Sequence, residues 1–219
     1  MVIKQNDLEF NLSVNNTAQC IGFSNKPKMV LKIPETVVIG NDNYTVTSIG
    51  EYAFANCKRL VKVIIPSSIH KINKFAFNMC INLKEVDCDS IYTNVCHGAF
   101  YRCYNLHKFS AHKISLMEEF AFAECRMLTH LDCIICNNLH GHNFANCKRL
   151  IGVICGDDIK IHRNAFFQCA RMEWIEFTGD AWIAPEAFPF VSKRKIICLS
   201  QESNLIGLAY EGCEIVLWK

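Results

Sequence analysis

The stretch CIICNNLHGHNFANC brings Cys133, Cys136, His140, His142 and Cys147 close together. Thiolates and imidazoles are zinc's usual ligands, and a structural site needs four of them converging at about 2.0–2.3 Å. A second candidate is CGDD, where Cys155 stands just before Asp157 and Asp158. A thiol beside carboxylates is raw material for a nucleophile, provided that a base and an orienting group assemble around it. Whether either segment does chemistry depends on whether it is unique or one copy of a pattern.

A repeat is present. The motifs YAFANC, FAFNMC, GAFYRC, FAFAEC, HNFANC, NAFFQC and EAFPFV place Phe54, Phe77, Phe100, Phe122, Phe144, Phe166 and Phe188 in one column, at steps of 22 or 23 residues. Such a period marks a solenoid. Five before each Phe come Ile49, Ile72, Val95, Met117, Leu139, Ile161 and Ile183; one before, alanine everywhere except Asn143. Three after stand Cys57, Cys80, Cys103, Cys125, Cys147 and Cys169; six after, Leu60, Leu83, Leu106, Leu128, Leu150 and Met172. Nine after are Val63, Val86, Phe109, Leu131, Val153, Ile175 and Ile197; eleven after, Ile65, Cys88, Ala111, Cys133, Cys155, Phe177 and Leu199.

Positions nine and eleven alternate with others, so both face inward on a short strand. The alanine–phenylalanine pair is expected on a short helical or 3₁₀ turn, with alanine small because coils approach closely there. Each coil then adds one strand to a parallel sheet, about 4.8 Å from the last. No coil buries its apolar face alone; stacking joins the faces into one core.

The unit C-x-x-L-x-x-V-x-I-P-x-S-I-x-x-I-x-x-x-A-F, from Cys57 to Phe77, resembles the BspA-like class of leucine-rich repeat. The resemblance runs over about residues 28–199, and the lead-in VLKIPETVVIGNDNYTVTSIGEYAF resembles the opening of such arrays. It implies an α/β solenoid: a right-handed leucine-rich repeat coil with a parallel sheet on its concave face. It also implies a role in binding proteins or surfaces, family members often being surface adhesins. The expected layout is a single domain, with a hairpin cap over 1–28, repeats over 29–199 and a C-terminal cap over 200–219. In the first cap, residues 8–23 read as two strands around Asn15-Asn16. In the second, QESNLIGLAYE reads as a helix and CEIVLW as a strand covering the final coil.

Within this frame the sulfur-rich stretch changes meaning. Cys133 falls in an inward column, and Cys136 stands where Ile91 and Ile114 stand in the two preceding coils, also inward. His140 has Gly50, Asn73, Glu118 and His162 as counterparts, a mixed column expected to face solvent. Inward thiols and outward imidazoles do not converge, so packing outweighs zinc, which stays as the lesser alternative. Cys155 is likewise an inward residue with its acids in a turn. Cysteines of the third column serve as small hydrophobes beside the rings. Parallel, in-register positions run side by side and disfavour the disulfide dihedral, so reduced thiols are expected.

No G-x-S-x-G, Walker loop or H-E-x-x-H occurs, and no cofactor, metal or enzymatic activity is expected. Formal charge is only +2, which gives no case for nucleic acid or an anionic membrane. No uncharged apolar run approaches the roughly 18 residues of a membrane span. MVIKQNDLEF does not read as a secretory signal, so a cytoplasmic location is expected, with the cell surface as the alternative for a chain lacking its leader. Sequons at Asn11, Asn15 and Asn43 are then coincidental.

Function is expected where the columns leave freedom, at the outward strand positions eight and ten after each Phe. These are Lys62 and Ile64, Glu85 and Asp87, Lys108 and Ser110, His130 and Asp132, Gly152 and Ile154, then Trp174 and Glu176. The expectation is a non-catalytic scaffold that binds a protein on this concave face. Trp174 is read either as an exposed interface anchor or as packing on neighbouring strands. A BspA-like adhesion module is the alternative. An imperfect terminal cap would favour end-to-end self-association.

Overall fold

The computed structural model describes residues 1–135 and 138–189, without the side chains of Asp132 and Cys133, and the backbone of strands Lys195–Leu199, Leu205–Ile206 and Glu214–Trp218. The chain is a β-solenoid built on two parallel ladders. The first contains Val30–Lys32, Lys62–Ile65, Glu85–Cys88, the start of Lys108–Met117, Asp132–Ile135, Gly152–Cys155, Trp174–Phe177, Lys195–Leu199 and Glu214–Trp218. The second runs through Thr17–Phe23, Asp42–Ile49, Lys71–Ile72, Thr93–Val95, the end of Lys108–Met117, Asn138–Leu139, Ile159–Ile161, Ala181–Ile183 and Leu205–Ile206.

No helix occurs among the described residues, so the α/β expectation is corrected to an all-β solenoid. The reason lies in the turn around each phenylalanine. Residues two before and two after it have positive φ: Tyr52 and Asn56, Phe75 and Met79, Phe120 and Glu124, His142 and Asn146. Two left-handed residues so close together break any helical run. Backbone groups bond to the neighbouring coil instead. Phe54, Phe77, Phe100 and Phe122 donate their N–H to the carbonyls of Ala76, Ala99, Ala121 and Asn143 at 2.8, 2.8, 2.9 and 3.0 Å. Such close approach accounts for the alanine column. In the third coil Gly98 takes the left-handed position at φ +59°, and a Cβ there would meet the Phe75 ring at 2.3 Å.

Between the ladders lies the core. Phe54, Phe77, Phe100, Phe122, Phe144, Phe166 and Phe188 form one spine, with stacked ring centroids 4.9 to 5.8 Å apart. Phe109 meets Phe100 and Phe122 edge-on at 5.4 and 5.0 Å. The cysteine column does more than fill space. The thiols of Cys80, Cys103, Cys125, Cys147 and Cys169 donate to the carbonyls of Phe54, Phe77, Phe100, Phe122 and Phe144 at 3.0 to 3.3 Å. Each of these carbonyls also accepts the N–H of its own coil's cysteine. Both lone pairs of a buried carbonyl are thereby satisfied. Burial pushes the Cys80 thiol up to about 12, and Cys103, Cys125 and Cys147 well above the ordinary range.

The N-terminal hairpin forms as expected, with Leu8–Leu12 antiparallel to Thr17–Phe23. An unforeseen strand, Val2–Gln5, extends it through Asn6 and Asp7, both at positive φ, the conformation that a tight hairpin turn requires. Phe23 meets Phe54 edge-on at 5.0 Å, closing one end of the spine. At the other end the helix expected over 201–211 is corrected at Leu205–Ile206, which pairs in parallel with Ala181 and Trp182 as a second-ladder strand. Glu214–Trp218 pairs with Lys195–Leu199, adding another first-ladder strand. Ile175 lies opposite Cys198 and not Ile197, a one-residue difference from the column alignment.

Candidate interaction face

First-ladder strands alternate as their sequence requires. Val63 and Ile65, Val86 and Cys88, Val153 and Cys155, and Ile175 and Phe177 are buried, while Ile64, Glu85, Asp87, Ile154, Trp174 and Glu176 are half-buried on the other face. Register aligns the outward positions in rows: Lys62 with Glu85 and Lys108, Ile64 with Asp87 and Ser110, Gly152 with Trp174, and Ile154 with Glu176. His130 is exposed and precedes its strand, which begins at Asp132. The Asp132 side chain lies outside the described residues.

Charges at the N-terminal end of this face are tied to one another across strands. Lys62 Nζ lies 3.0 Å from Glu85 Oε2 and 2.7 Å from Asp87 Oδ2; Lys108 Nζ reaches Asp87 Oδ1 at 3.6 Å. Hydrogen bonds from Lys62 come first in lowering the Asp87 pKa, and the Lys62 and Lys108 charges add to the effect. The same pairing raises Lys62. Lys62 and Glu85 share a row, and Asp87 in the next row joins Lys62 to Lys108. Of the two readings of Trp174, packing on a neighbouring strand is present: its ring covers Gly152, where a Cβ would come within 2.1 Å of Trp174 Cδ2. Glycine leaves the space into which the indole folds, so Trp174 packs on its neighbour while keeping one side half-exposed.

The residues of the sulfur-rich stretch point to separate neighbours. His140 stacks on His162 at 5.3 Å, half-buried and not simply facing solvent, and Cys96 in the same column is buried. His142 stacks on Phe120 at 5.2 Å. Cys147 is buried with its thiol on the Phe122 carbonyl. Cys136 and the Cys133 side chain lie outside the described residues. Column alignment put Cys133 beside Cys155, but the backbone places Ile135 opposite Cys155, after a register shift between Ser110 and Lys113 in the preceding strand. Ile91 is 64 % exposed, correcting the inward reading; counting back by two from buried Val95 lands on Thr93, which is fully buried. Among the described residues no group of three or more His, Cys, Asp or Glu gathers as a metal site would require. Asp157 Oδ1 accepts the N–H groups of Asp158 and Asp180 at 3.0 and 2.9 Å, tying one coil's turn to the next.

Sequence reasoning missed Trp182. It lies 39 % exposed on the second ladder, its ring against His162 at 6.1 Å. The signal was its alternation with Ala181 and Ile183, both buried.

Two coupled parallel ladders over a ring spine define a repeat protein of the leucine-rich kind. The sequence pattern of the BspA type leucine rich repeat region matches residues 35–151 and 136–216, in six copies, and the chain belongs to that family. Solved structures agree on the fold. A leucine-rich repeat protein from Bacteroides capillosus is 24% identical over 60% of this chain and 97% of its own, with a TM-score of 0.50. Another, from Bacteroides ovatus, is 18% identical over 98% and 78%, with a TM-score of 0.57. The T. pallidum leucine rich repeat protein is 17% identical over 97% and 85%, with a TM-score of 0.53. No curated protein matches the sequence.

Proposed function

We propose that the chain is a non-catalytic module that binds a protein on the outward face of its first ladder. One observation carries this reading: the alternate positions of these strands are fully buried, whereas Ile64, Ile154 and Trp174 offer apolar surface that the core does not use. The charged groups beside Ile64 are already paired with one another, so a partner gains more from the apolar C-terminal part than from charge there. Membership of the BspA type family supports an interaction or adhesion role. Catalysis finds no support: burial raises the described thiols that shift, including Cys96, whose neighbouring Glu118 carboxylate raises it further.

The test isolates a protein retained by the wild-type chain and measures its affinity for wild type and for the Trp174→Ala/Ile154→Ala double variant by calorimetry. Truncating an interface anchor costs about 2 kcal/mol, roughly thirtyfold in Kd. Equal affinities would remove this face from the binding site. An intracellular scaffold is favoured over an exported adhesion module by the five thiol–carbonyl bonds, which require reduced sulfur. Titration of the unfolded chain decides between them: all 14 cysteines free supports the scaffold, and several disulfides support export.

A further inference from the structure

A groove of about 320 Å³ opens beside the first coils, lined by Met29, Lys58, Arg59, Val61, Asn82 and Lys84. We propose that it binds an acidic peptide segment carrying one large apolar side chain. This site is separate from the outward face of the first ladder and does not rest on that reading.

The groove is held by backbone bonds that leave its basic side chains available. The Met29 carbonyl accepts the N–H groups of Val61 and Lys62 at 2.7 and 3.1 Å, and the Val61 carbonyl accepts that of Lys84 at 2.8 Å. Asn82 Nδ2 donates to the Lys58 carbonyl at 2.9 Å, joining two coils at the rim. Lys58, Arg59 and Lys84 are all exposed, and among the described residues none of them forms an ion pair, in contrast to Lys62 and Lys108 nearby. Between these cations lie Val61 and Met29, the latter 59 % exposed. Three unpaired cations around an apolar floor complement carboxylates flanking a hydrophobic side chain.

A nucleic acid fits less well. A phosphate backbone draws on a continuing track of cations, and here the track is interrupted. In the following coils the equivalent positions hold His107 and Tyr104, and the Arg126 guanidinium that covers Tyr104 at 4.5 Å is bound to Glu124 at 2.7 Å. An extended peptide needs only the two coils that supply the groove.

The test uses the full chain and a fluorescein-labelled peptide, Asp-Glu-Leu-Glu-Asp, with binding followed by anisotropy at low and high salt. Binding is expected, weakened by salt, about tenfold weaker in the Lys58→Glu/Lys84→Glu variant, and weaker when the central leucine is replaced by serine. The Trp174→Ala/Ile154→Ala variant should bind this peptide normally, which separates the two sites. Circular dichroism and urea midpoints verify folding, and Arg59→Gln gives a milder second perturbation should the reversal variant not fold. No binding at millimolar peptide, an affinity unchanged in the folded charge variants, or tighter groove-dependent binding of a thymidine oligonucleotide would each overturn the proposal.

Discussion

Removing one ring from the middle of the spine, by Phe122→Ala, tests the fold where it is most interdependent. Phe122 is fully buried. It stacks on Phe100 at 5.2 Å and on Phe144 at 5.8 Å, and meets Phe109 edge-on at 5.0 Å. Truncating a buried phenylalanine costs about 3–5 kcal/mol. Three aromatic contacts, each contributing about 0.5–1.5 kcal/mol beyond area, place this site at the upper end, near 5. Typical total stability is only about 5–15 kcal/mol, so the loss is a large fraction of the whole. Because repeats touch only their neighbours, the weakened interface also lies between two otherwise intact stacks. Urea unfolding followed by both circular dichroism and tryptophan fluorescence should show a much lower midpoint, and the two probes should separate. The control is Tyr52→Ala. Tyr52 stacks on Phe75 at 5.3 Å but is 53 % exposed, and its loss should cost less than about 1 kcal/mol. If Phe122→Ala also costs under about 1 kcal/mol, or the two variants are equal, the spine does not carry the stability assigned to it.

Alkaline pH should destabilise the protein through its thiols. Cys20 and Cys80 are raised by burial from 9.0 to about 12, so the unfolded chain releases these protons first; the contribution is complete below pH 9 and is lost as pH rises towards 12. Urea midpoints should fall over this range, and Cys80→Ala should make the fall shallower; an unchanged slope would contradict the thiol account. Gly152→Val should displace the Trp174 indole at a cost of about 1–3 kcal/mol, with a red-shifted emission absent from the same substitution in a Trp174→Phe background. An unaltered spectrum would mean that Trp174 does not rest on Gly152.

The seven-ring spine and most of the inward strand columns were legible because each repeats one physical demand at one period, and the N-terminal hairpin because Asn15-Asn16 marks its turn. The turns were not. Glycine and asparagine advertise left-handed backbone, yet here Tyr52, Phe75, Met79, Arg102 and Gln168 adopt it, held by bonds to the adjacent coil that no single coil reveals. Ile91 misled for a related reason: column spacing selected it, while alternation within Thr93–Val95 selects Thr93. The Lys62–Glu85–Asp87–Lys108 network and the Trp174–Gly152 pair were readable in principle, since each joins residues of one row or its neighbour. Reading them needed columns compared for charge and size as well as for hydrophobicity. The basic groove depends on five residues from two coils and one from the lead-in, a conjunction that no linear spacing marks.

The thiol and ring ladders share a further property: every coil from Phe77 to Phe166 offers its successor nearly the same surface that its predecessor offered it. Excising residues 101–122 would therefore set Phe144 against Phe100 and the Cys147 sulfur against the Phe100 carbonyl, where Cys125 now sits. Overall length is in that sense an adjustable quantity, and the molecule can be shortened or extended by whole windings without redesigning either extremity.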